Sequence, residues 1–72
     1  MDESVWVVYA VDRDVYVDGQ LCGRTNALTT VETGTHTFDL GLPQTYLPRA
    51  ITKKVTGTTS LDPLVLTFEA EL

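Results

Sequence analysis

At 72 residues the chain is expected to form one domain, residues 1–72. Ten acidic side chains against five basic ones give a formal net charge of −5, which argues against nucleic acids and anionic membranes, because both need clustered Lys and Arg. A single cysteine, Cys22, excludes an internal disulfide, and no zinc-ligand spacing occurs, so neither metal nor cofactor is expected.

Residues 4–11 read as the first strand, with Val5-Trp6-Val7-Val8-Tyr9-Ala10-Val11 apolar on both faces. Such a strand is ordinarily covered on both sides. In so small a domain the face carrying Trp6, Val8 and Ala10 is either closed by a loop or left for a partner. Trp6 and Tyr9 are of the type that interfaces favour as anchors. Asp12-Arg13-Asp14 reads as a turn whose carboxylates bond nearby backbone. Asp12, Asp14 and Asp18 do not make a calcium loop, since the spacing lacks the glutamate that closes an EF-hand.

The chain is organised around residues 14–25. Val15 and Val17 alternate with Tyr16 as a half-buried strand does. Asp18-Gly19 supplies two residues tolerant of positive φ, as a type I′ hairpin requires. Leu21 resumes the apolar pattern, and Gly23 marks a bulge or a close backbone approach. Thr25 can satisfy backbone groups at the following corner through its hydroxyl. Leu28-Thr29-Thr30-Val31 is a short strand or edge segment. Gly34, ending the turn Glu32-Thr33-Gly34, is placed for positive φ.

In residues 35–40, His36, Phe38 and Leu40 share one face and Thr35, Thr37 and Asp39 the other. His36 is expected on the core side as a packed, hydrogen-bonded residue. Residues 41–48 form a loop whose Leu42, Tyr46 and Leu47 plug one end of the core, or form a binding edge if exposed. Residues 49–56 form a strand with Ile51 and Val55 inward and Lys53 as an edge guard. Residues 64–72 are the last strand, with Leu64, Leu66, Phe68, Ala70 and Leu72 facing the core. No helical period is sustained. Six to seven short strands separated by turns predict an all-β fold, a small antiparallel β-sandwich or partly open barrel.

Val15-Tyr16-Val17-Asp18-Gly19-Gln20, then Gly23-Arg24-Thr25, then Gly34-Thr35-His36-Thr37-Phe38 together resemble the PEGA domain family. With Leu40 and the Tyr46-Leu47-Pro48 loop, the pattern covers roughly the middle half of the chain. Asp12-Arg13-Asp14-Val15 stands where the family has Pro-Glu-Gly-Ala, and Asn26 where it favours proline; neither change breaks a strand. The resemblance implies a β-sandwich-like interaction or spacer module of bacterial or archaeal proteins, often of the cell envelope. It brings no catalytic residues.

The function expected is therefore a non-catalytic protein-interaction or structural module. Its partner is another protein or a second copy of itself, and its candidate interface comprises Trp6, Val8, Tyr9, Ala10, Tyr46 and Leu47. The alternative is a small-ligand or carbohydrate binder that stacks its ligand on Trp6, Tyr9, Tyr16 or Tyr46. A Cys22–His36 nucleophile–base pair is the enzymatic reading, but nothing in the sequence orients the two. No apolar run approaches the ~20 residues of a membrane span, so no membrane insertion is expected. Met1-Asp2-Glu3-Ser4 lacks the basic start of a secretion signal. The chain reads as cytoplasmic, or as an excised piece of an exported envelope protein.

Overall fold

Alternation of side chains with period two builds almost every element of this protein. The computed structural model describes residues 1–71, and the described residues form nine strands. These are β1 (Asp2–Val8), β2 (Asp14–Val17), β3 (Gln20–Arg24), β4 (Leu28–Glu32) and β5 (Gly34–Asp39), then β6 (Tyr46–Leu47), β7 (Ile51–Val55), β8 (Leu64–Thr67) and β9 (Glu69–Ala70). One sheet has the order β4-β1-β8 and a second the order β3-β2-β5-β7. β6 and β9 pair as a small third sheet. The architecture is an all-β sandwich, not a closed barrel.

The two main sheets face each other through their apolar sides. Val5 and Val7 of β1, Val31 of β4 and Leu66 of β8 meet Val15 and Val17 of β2, Phe38 of β5 and Val55 of β7. Tyr46 and Phe68 close one end of this core, their rings edge to face at 5.5 Å. Of the loop residues expected at that end, Tyr46 is the plug, while Leu42 and Leu47 are exposed.

Five expectations need correction. The described residues form nine strands where six to seven were expected, because the loop after β5 supplies the two-residue β6 and the tail beyond Phe68 the two-residue β9 that pairs with it. The first strand begins at Asp2 and stops at Val8, so Ala10 and Val11 lie beyond it and are exposed. Its burial alternates rather than covering both faces, because Trp6 and Val8 point away from the opposing sheet. β8 runs parallel to β1, so the sandwich is not wholly antiparallel. The amphipathic run of residues 64–72 is two strands rather than one. At Phe68, whose N–H donates to the Val8 carbonyl, the chain leaves β1 and turns to pair with β6. Ala70 is consequently exposed instead of core-facing; Leu72 lies outside the described residues.

Candidate functional site

Three strands set the chemistry of the open face. In the β4-β1-β8 sheet Trp6 is directly opposite Leu28 on one side and Val65 on the other. Residues opposite each other project to the same face, so the three form one apolar row across the sheet. Leu28 is 43% exposed, Trp6 37% and Val65 57%. Val8 extends the row, half-buried. Ser4, Thr30 and Thr67 edge it with hydroxyls, and the Asp2–Glu32 pair lies at the far end.

The structure divides the six expected interface residues. Trp6 and Val8 lie together on this face, whereas Ala10 and Leu47 are exposed elsewhere along the chain. Tyr9 and Tyr46 are buried and belong to the core. Tyr9 shares the inward parity of Val5 and Val7, and its hydroxyl donates to the Thr45 carbonyl at 3.1 Å. The Tyr46 hydroxyl donates to the Gly41 carbonyl and accepts from the Leu40 N–H. Arg13 stands over both rings, 5.9 Å from the Tyr9 centroid and 5.0 Å from that of Tyr46. Its guanidinium also donates to the carbonyls of Leu40, Gly41 and Pro43. The aromatic platform of the carbohydrate reading thus loses two of its four rings to the core.

The expected turn residues take the positions argued for them. Asp18 and Gly19 have φ of 52° and 83°, and Gly34 has φ of 139°. The β2–β3 register shifts between Val15 and Tyr16, which leaves Cys22 as the extra residue of a bulge. At Gly23 a Cβ would lie 2.5 Å from Thr29 Oγ1. Thr25 Oγ1 accepts from the Arg13 N–H at 2.8 Å and donates to the Val11 carbonyl at 3.0 Å.

A second feature is an open hollow of about 320 Å³ between the two main sheets, with Asp2, Asp18, Cys22, Glu32 and His36 on its walls. The exposed Cys22 and His36 therefore do share a site. The histidine is already engaged, however. Its Nδ1 lies 2.6 Å from Asp18 Oδ2 and its Nε2 2.7 Å from the Glu32 carbonyl. Two acceptors call for two ring protons. The hydrogen bond to Asp18, and then that to Glu32, raise the His36 pKa above its usual 6.5. The hydrogen bond from His36, supported by the Thr37 N–H, lowers that of Asp18. Neither ring nitrogen is left to take a proton from the Cys22 thiol. The three aspartates of residues 12–18 go separate ways: Asp12 to Asn26, Asp14 to Arg24 and Asp18 to His36. Among the described residues no cluster of three or more His, Cys, Asp or Glu could hold a metal ion.

Glu3 is a residue that the sequence argument missed. It is only 4% exposed. Its carboxylate accepts from the Thr33 hydroxyl and from both the N–H and hydroxyl of Thr58. These bonds, that of Thr33 foremost, lower its pKa from 4.5 to about 2. The signal was parity, since Glu3 falls in step with Val5, Val7 and Tyr9.

No protein-family model, curated protein or solved structure matches the chain. The PEGA resemblance rests on its residues alone. No helix among the described residues is long and apolar enough to cross a membrane.

Proposed function

We propose that the chain is a non-catalytic protein-interaction module that binds through the open face of its three-stranded sheet. The observation that carries this reading is the exposed Leu28–Trp6–Val65 row. Contiguous apolar surface rimmed by polar side chains is the ordinary signature of a protein contact, and a partly buried tryptophan at its centre is the ordinary anchor. On the outward side of the other sheet Leu21 is exposed opposite Tyr16 at the β3 edge, a pair rather than a row across three strands. The outward side chains of β5 and β7 include Thr37 and Thr52, joined hydroxyl to hydroxyl at 3.0 Å. The resemblance to PEGA domains is consistent with a module of this kind.

The test needs no named partner. A random peptide library displayed against the immobilised domain should yield binders whose capture is lost with Trp6→Glu and kept with Thr52→Glu on the opposite sheet. Binders indifferent to Trp6→Glu, or none at all, would overturn the reading.

A further inference from the structure

The β4-β1-β8 sheet ends on a short edge strand that carries no charged side chain. Phe68 donates its N–H to the Val8 carbonyl at 2.9 Å. Backbone groups alternate sides along a strand, so Leu66 also faces β1. Val65 and Thr67 therefore turn their N–H and C=O groups away from it. No other strand of the described residues pairs with that side of β8.

The other edges of the two main sheets are protected. β7 carries exposed Lys53 and Lys54, the usual guard against strand pairing. β3 and β4 lie against one another, with Gly23 tight on Thr29. β8 consists of Leu64-Val65-Leu66-Thr67, with neither charge nor proline.

We propose that this edge pairs antiparallel with the same edge of a second copy, merging two three-stranded sheets into one. The proposal rests on the interaction-module reading and names the occupant. A two-fold axis midway between the Leu66 residues of the two copies sets Val65 of each copy opposite Thr67 of the other. Every outward N–H and C=O of the two residues then finds a partner. The same operation sets Val65 diagonal to its counterpart, with Thr67 of the other copy directly opposite, and leaves Trp6 one strand further out on each side, so the two apolar rows lie on one continuous face. Charge confines a second copy to this edge. Two chains of net charge −5 repel, and an uncharged edge is where they approach at least cost. A basic partner would be drawn to carboxylates, which β8 lacks.

Such an edge contact falls well short of the ~800 Å² per partner of a standard stable interface, so the dimer is weak. Sedimentation equilibrium from about 10 μM to about 1 mM brackets affinities of that order. The mass should rise from monomer towards dimer. Over the same range the Val65 and Thr67 amides should pass from fast hydrogen exchange to protected. Val65→Lys, which changes only an exposed side chain, and Thr67→Pro, which removes an outward N–H, should both stay monomeric and folded by circular dichroism. A constant monomer mass overturns the proposal, as does a dimer that survives Val65→Lys with both amides unprotected. A constant monomer that still captures Trp6-dependent peptides overturns the second-copy proposal alone; loss of both signals overturns the module reading as well.

Discussion

Two buried threonines show how far a single hydroxyl matters. Thr25 Oγ1 serves both the Arg13 N–H and the Val11 carbonyl at the crossing from β1 to β2. Thr29 Oγ1 is equally buried and has no partner among the described residues. Thr25→Val should destabilise the domain by about 2 kcal/mol, because two backbone groups lose their partner where water has little access. Thr29→Val keeps the shape and removes an unpaired hydroxyl, so it should be neutral or stabilise by about 1 kcal/mol. Urea unfolding of the two variants beside the parent checks the opposed signs. The role of Thr25 was legible as a corner hydroxyl. The isolation of Thr29 was not, since it depends on β3 pressing against β4.

At the scale of the element, the β2–β3 hairpin is the most local structure in the protein. Asp18-Gly19 selects the turn by backbone conformation alone. Gly19 has φ of 83° and open space around the position of a Cβ. The cost of Gly19→Ala is therefore the left-handed backbone by itself, about 1 kcal/mol, read as a drop in unfolding midpoint. A null result would mean that the turn is formed differently. Asp18 also bonds the Thr37 N–H through its other carboxylate oxygen, which ties the hairpin to β5. That tie crosses 19 residues of chain, beyond the reach of a turn motif. The last run of residues 64–72 illustrates the opposite case. Its period of two is uninterrupted, yet Phe68 divides it between two sheets. Alternation reports which way side chains point and is silent on which strand lies beside them.

For the whole molecule, two ionic anchors on different walls of the sandwich define a pH window. The depressed pKa of Glu3 makes its ionised form part of the folded state. Its stabilisation is present above about pH 4.5 and is lost as pH falls towards about 2. His36 has the opposite sign. Its folded pKa lies above 6.5, so its contribution is full below that pH and disappears as pH rises through the raised value. Thermal midpoints should therefore fall on both sides of a mildly acidic maximum. Glu3→Gln should flatten the acid limb and His36→Gln the alkaline one; parallel, unchanged profiles would contradict both assignments.

The sequence alone determined the all-β class, the hairpin at Asp18-Gly19 and the inward parity of Phe38 and Leu66, and it left Gly23 as either a bulge or a close approach. These follow from local backbone conformation and from period-two alternation, both properties of consecutive residues. Only the tertiary structure decided that β8 lies parallel to β1, that Tyr9 and Tyr46 are core while Trp6 is exposed, and that Arg13 holds the loop after β5. Strand order and the covering of a face depend on contacts between residues far apart in the chain. That distance is also why the two apolar sides of the first strand read alike in sequence, although the opposing sheet covers only one of them.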